Sequence, residues 1–169
     1  MMDDRRFDVP AFVARQRPRA VGIDLHWLPH AHGALEVARI VKEVHPGVPV
    51  IFGGLSSSYF HEELVRYPQV DFVLRGDSTE PPLHQLLVAL REGTPLDCIP
   101  NLTWKDRGTV RVNPHTFVPA TLDYVDIRPD LVIDMMVRHR DFESVLPFSG
   151  WWRNPIAAVF TVKGCAYEC

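Results

Sequence analysis

The chain has 169 residues, enough for one α/β-sized domain and a remainder too short to fold alone, which excludes a multidomain machine. Apolar residues make up 46% and charged residues 23%, a composition that supplies one core and shows no bias toward disorder. Eighteen Lys and Arg against 21 Asp and Glu give a net charge of -3, the wrong sign for a protein that gains affinity by neutralising phosphates, so nucleic acid is not an expected partner.

Asp8 is placed to cap a short helix with Pro10 in its first turn, running to about Gln16, and Arg19-Ala-Val-Gly-Ile-Asp24 reads as a buried strand. A loop rich in His follows. From Gly33, Leu35, Val37, Ala38, Val41 and Val44 recur at helical spacing until His45-Pro46-Gly47 stops the pattern. Val48 to Phe52 is a second strand ending in Gly53-Gly54. The spacing predicts a helix over Tyr59 to Tyr67, a third strand over Asp71 to Arg75, and a helix from Pro82 to Arg91 opened by Ser78 or Thr79 and closed by Gly93. Strands alternating with helices mean a parallel sheet with both faces covered.

In open α/β sheets ligands bind beyond the carboxyl ends of the strands. Three loops lie there: Asp24 to Gly33, Gly53 to Ser58, and Gly76 to Glu80. Each carries glycine or small polar residues that leave backbone amides accessible near a helix start. For any one of them, ordinary turn chemistry is the alternative.

Beyond Gly93 proline becomes frequent. Asn101 to Lys105 and Thr109 to Asn113 flank Asp106-Arg-Gly108, a hairpin signature with Gly available for the positive φ, and this hairpin is expected to cap the domain. Pro114 to Pro155 shows little periodicity but much proline and aromatic content, including Phe148, Trp151 and Trp152, and reads as a tethering segment packed on a neighbour. Ile156 to Val162 is a strongly apolar strand leading into Lys163-Gly-Cys-Ala-Tyr-Glu-Cys169. No apolar stretch approaches the roughly 20 residues of a membrane span, and Met1-Met2-Asp3-Asp4 is no signal peptide. Three cysteines without a disulfide framework fit a reducing, cytoplasmic compartment. Of these, Cys98 reads as a small buried hydrophobe.

A strand ending in Lys-Gly-Cys-x-x-x-Cys resembles the opening of a radical SAM barrel, whose full motif is Cys-x-x-x-Cys-x-x-Cys; the third cysteine is absent here. The resemblance implies that Cys165 and Cys169 are two of the three thiolates of a [4Fe-4S] cluster, whose open iron chelates S-adenosylmethionine. Taken alone, the two cysteines read as unpaired residues or as half of a zinc site.

Upstream, Val21-Gly-Ile-Asp24, Val48-Pro-Val-Ile-Phe-Gly-Gly54, Asp71-Phe-Val-Leu-Arg-Gly76 and Ile99-Pro-Asn-Leu-Thr-Trp104 resemble, in order and spacing, the cobalamin-binding domain that often precedes such barrels. That family places a Ser-x-Leu after one strand, at a set distance before a Gly-Gly, both lining the groove for the nucleotide tail. Here Asp24-Leu25-His26 stands in the first place, with 26 residues between His26 and Gly53. The resemblance covers about residues 20 to 115 and implies cobalamin contacts from Asp24, His26, Gly53, Gly54, Ser56 and Gly76. The family's domain has a strand, a loop, a helix and a second strand before the region matching Val21. The chain therefore reads as an internal fragment of a longer enzyme, with no lower axial histidine to assign.

Asp24, His26, His30 and His32 lie within nine residues. They read as an N/O metal site, as a contact to the corrinoid or substrate, or as caps and hydrogen-bond partners. Asp77 and Glu80 read as helix-start carboxylates, with a ligand hydroxyl as the other reading.

The expected fold class is α/β: a Rossmann-like, flavodoxin-like parallel sheet forming a partial cobalamin-binding domain over residues 1–115, a linker over 116–155, and the first strand of a radical SAM barrel over 156–169. The implied parent is an enzyme that uses a [4Fe-4S] cluster, S-adenosylmethionine and cobalamin for radical or methyl-transfer chemistry. The chain by itself is expected to be inactive, to bind cobalamin weakly or not at all and to hold a cluster poorly. The alternative is a non-catalytic flavodoxin-like ligand-binding or interaction module. In the strand order 2-1-3-4-5, loss of the first two strands exposes the edge of Ala20 to Asp24, so self-association is expected; membranes and nucleic acid are not expected partners.

Overall fold

Apolar strand runs alternating with helix-period segments fold, in the computed structural model, as a five-stranded sheet in the order β1-β2-β3-β4-β5. The structure describes residues 8–121, 128–140 and 150–155. The chain divides into two units, Asp8–Val125 and a second made of Met1–Phe7 with Asp126–Cys169. The sheet belongs to the first. Its strands are β1 (Val21–Asp24), β2 (Val50–Gly53), β3 (Phe72–Leu74), β4 (Leu102–Asp106) and β5 (Thr109–Val112). β1, β2 and β3 run parallel, and β4 and β5 continue antiparallel. The hairpin therefore extends the sheet rather than capping it from outside. A two-residue turn makes this possible, because Arg107 and Gly108 both take positive φ, 49° and 87°, the geometry that matches strand twist.

The helices are α1 (Val9–Arg15), α2 (Ala31–Val44), α3 (Leu55–Tyr59), α4 (His61–Arg66) and α5 (Glu80–Glu92), with α6 (Pro129–His139) in the second unit. Asp8 caps α1 by accepting from the Ala11 amide at 2.8 Å. Gly93, at φ 68°, closes α5 in the left-handed conformation. One face of the sheet packs on α1, α2 and α4 through Leu25, Ala38, Val41, Val50, Phe52, Leu64, Val65 and Val73. The other packs on α5 through Ile51, Leu74, Leu86, Ala89 and Leu102. Buried on both faces, β2 is the centre of the core; each such side chain contributes roughly 1.5–3 kcal/mol of transfer free energy.

Several expectations are corrected. The single helix over Tyr59 to Tyr67 is two short helices with a break at Phe60. β1 is not buried: Val21 and Ile23 are half-buried, and Gly22 and Asp24 are exposed. It lies at the sheet edge, with β2 its sole strand neighbour among the described residues. Cys98 is exposed, not a buried hydrophobe, because it sits in the turn before Ile99. The segment expected to lack periodicity contains α6, whose Leu131, Val132, Ile133, Met135 and Val137 are exposed. The strand expected over Ile156 to Val162 lies outside the described residues.

Candidate functional site

The loops after β1, β2 and β3 are tied together by two serines. Ser56, buried in the first turn of α3, donates from Oγ to the His26 carbonyl at 3.0 Å. The Ser56 and Ser57 amides donate to the Leu25 carbonyl at 3.1 and 3.3 Å. Ser58 Oγ donates to the Gly54 carbonyl at 2.9 Å and accepts from the Gly76 amide at 2.7 Å. The structure thus brings Asp24, His26, Gly53, Gly54, Ser56 and Gly76 to one end of the sheet. Ser58 was missed from the sequence, since nothing in the run Ser56-Ser-Ser58 distinguishes the serine that bridges loops 18 residues apart.

Two glycines are required by geometry. At φ 96° Gly54 lies so close to the first loop that a Cβ there would collide with Asp24 Oδ1 and stand 2.9 Å from the Leu25 carbonyl. Gly76, at φ 109°, would place a Cβ 3.1 Å from His115 Nε2. Two others leave room instead. A Cβ on Gly22 or on Gly53 would meet nothing within 4 Å. The register Gly22↔Ile51 and Asp24↔Gly53 puts these residues on one sheet face, so two bare glycines floor an open tract ending at the exposed Asp24 carboxylate. Such a floor lets a flat group approach the backbone, which fits a ring system bound at the strand ends.

Beside Gly76 stands a basic group. Arg75 Nε donates to the Asn101 carbonyl at 3.3 Å and its Nη2 to the Asn113 carbonyl. His61 Nδ1 bonds Thr103 Oγ1 at 3.0 Å. Burial, then the Arg75 charge, hold the His61 pKa below its ordinary value. Asn101, fully buried, exchanges two bonds with the Phe117 backbone at 2.8 and 3.0 Å and so fixes the chain beyond β5.

His26, His30 and His32 are exposed. His26 packs edge-on against Trp27, centroids 4.9 Å apart, and His30 makes no side-chain cap bond to α2. Among the described residues no three His, Cys, Asp or Glu side chains are grouped as a metal site. Glu80 opens α5 as its first residue, where the helix dipole favours a carboxylate. Cys165 and Cys169 lie outside the described residues. No helix among the described residues is long and apolar enough to cross a membrane.

Comparison with known proteins agrees with this geometry. The sequence profile of the B12 binding domain matches residues 2–84. An uncharacterized methyltransferase of Pyrococcus horikoshii, PH0819, is 27% identical over 163 residues, 96% of this chain and 33% of that protein. The radical S-adenosylmethionine methyltransferase TsrM from Kitasatospora setae, solved with cobalamin and a [4Fe-4S] cluster bound, superposes with a TM-score of 0.57 at 25% identity, over 70% of this chain and 22% of that one. OxsB, a cobalamin-dependent S-adenosylmethionine radical enzyme, superposes with a TM-score of 0.53 at 18% identity, over 64% and 15% of the two chains; that likeness is one of fold. The chain spans about a third of the curated relative and less of the solved enzymes. The open glycine floor at the strand ends and the Rossmann-like sheet agree with the B12 binding domain profile that residues 2–84 match.

Proposed function

We propose that this chain is the cobalamin-holding part of a radical SAM methyltransferase, with the nucleotide tail of the corrinoid entering along Gly22 and Gly53. The single observation that carries the reading is the open two-glycine floor at the strand ends of a B12-binding domain. Gly22 and Gly53 let backbone approach the cofactor, while Gly54 and Gly76 let the surrounding loops close on one another. Asp24 offers an acceptor at the groove's end, Ser56 holds the His26 backbone in place, and the exposed His26 and Trp27 flank the entrance. Cobalamin, when bound, supplies a cobalt centre that carries a methyl group. The protein's own task is to hold the ring and keep the tail extended. In the whole enzyme Cys165 and Cys169 contribute thiolates to a [4Fe-4S] cluster that binds S-adenosylmethionine, in the cytoplasm.

Absorption titration with hydroxocobalamin into the high micromolar range tests the binding step. The wild-type chain takes up the corrinoid, weakly, and Gly53→Leu, for which the sheet has room, fills the groove and abolishes uptake with an unchanged melting temperature. No uptake by the wild type overturns the reading in favour of a non-catalytic module.

A further inference from the structure

Arg75 carries a half-buried positive charge that no carboxylate neutralises. Among the described residues its guanidinium bonds only the backbone carbonyls of Asn101 and Asn113, through Nε and Nη2, and makes no ion pair. Lys42, half-buried too, is by contrast paired with Asp71 at 2.6 Å. The two backbone bonds fix the guanidinium plane and leave Nη1 without an acceptor. Burial holds the Arg75 pKa below its ordinary value, with the Glu62 charge acting the other way. Two imidazoles stand beside it. His61 spends Nδ1 on Thr103 at 3.0 Å, leaving Nε2 without a partner among the described residues. His115, exposed and without a hydrogen bond there, has its Nε2 3.1 Å from the point where a Cβ on Gly76 would lie. His61 senses the charges of both Arg75 and His115. The acidic residues that His61 also senses, Glu62 and Glu63, are exposed on α4, and Glu62 pairs with Arg66 at 3.9 Å rather than with Arg75.

We propose that Arg75, His61 and His115 form an oxyanion site that takes a small phosphate-class anion, separate from the groove over Gly22 and Gly53. Alternation along β3 puts Arg75 on the face of Val73, which packs with α4, whereas Gly22 and Gly53 share the face of Ile51, which packs on α5. The sheet separates the two. A guanidinium held planar by its own backbone bonds offers its remaining N–H groups to phosphate oxygens, and the imidazole nitrogens add donors when protonated. A cation partly withdrawn from water is stabilised by such an anion, and the described chain supplies none. The site stands independently of the cobalamin-holding role.

The test is titration of the 169-residue chain with inorganic phosphate at constant ionic strength, read by NMR from the imidazole signals of His61 and His115. Wild type saturates with both signals moving together, and acetate at the same ionic strength moves neither to saturation. Arg75→Gln, which loses the charge, weakens phosphate binding at least about ten-fold. His115→Gln, at an exposed position whose change costs no bond among the described residues, weakens it about three-fold with an unchanged melting temperature. Arg111→Gln, which removes an exposed arginine paired with Asp106 at 3.4 Å, leaves it as in wild type. Equal binding by wild type, Arg75→Gln and His115→Gln marks an adventitious ion only and overturns the site. Phosphate binding that is lost when hydroxocobalamin is added but kept with cobinamide, which lacks the nucleotide phosphate, assigns the anion to the corrinoid and overturns a separate site. Saturable phosphate binding by a chain that takes up no corrinoid upholds this site while the cobalamin reading falls.

Discussion

Ser57 shows how finely this end of the sheet is determined. Its side chain is fully buried, and its hydroxyl is the one buried side-chain polar atom without a hydrogen-bond partner among the described residues. Its neighbours Ser56 and Ser58 both spend their hydroxyls joining loops. An orphaned buried hydroxyl costs on the order of 1–3 kcal/mol. Ser57→Ala should accordingly raise stability by up to about 1 kcal/mol in urea titration, whereas the same change at Ser58 frees the Gly76 amide and lowers it. A destabilised Ser57→Ala would falsify this account of the packing. From sequence the three serines are indistinguishable, because what separates them is which carbonyl the fold brings within 3 Å.

At the scale of elements, His61 is the link between α4 and β4. It is partly buried and bonded to Thr103, and its pKa lies below the ordinary value of 6.5 because of burial and of the Arg75 charge. Well above that value folded and unfolded chains both carry neutral imidazole. As the pH falls through 6.5 the unfolded chain binds the proton first, so stability declines until the pH has passed the folded value as well. The melting temperature should therefore be lower at about pH 5 than at about pH 7.5, and His61→Gln should flatten that slope. An identical slope in the variant would assign the pH dependence to other groups. The elements themselves were legible to different degrees. α1, α5 and the β4–β5 turn announce themselves through Asp8, Gly93 and Arg107-Gly108, each acting on backbone a few residues away. α6 did not, because the proline and aromatic content around it masks a short run of apolar residues at helical spacing, which the fold leaves exposed.

At the scale of the whole molecule, β1 presents an edge that no other strand pairs among the described residues. The Val21 and Leu25 amides donate to the Pro49 and Gly53 carbonyls at 2.8 Å each, and alternation along the strand turns the backbone groups of Gly22 and Asp24 outward. Within the strand itself no charge stands before Asp24, so a second chain can add to it. Light scattering across a concentration series should show self-association of the wild type. Gly22→Lys, which the open space above Gly22 accommodates, should give a monomer. A wild-type chain that stays monomeric at every concentration would mean the edge is covered.

The sequence by itself determined the class of fold, the order of the strands to β5, and the three strand ends at which the loops gather. Those depend on periodicity, caps and turn chemistry, which act over a few residues. It also carried the likeness to B12-binding domains, since the glycines at 53, 54 and 76 must stand where no side chain fits or where a ligand needs space. Only the tertiary structure decided that Gly54 is excluded from bearing a side chain by Asp24 while Gly53 opposite is free, that Ser58 joins loops 18 residues apart, and that His61 reaches a threonine 42 residues away. The reason is physical: these relations are set by sheet register and helix packing, and a one-residue slip of register would turn Asp24 and Gly53 to the opposite face without altering any local signal.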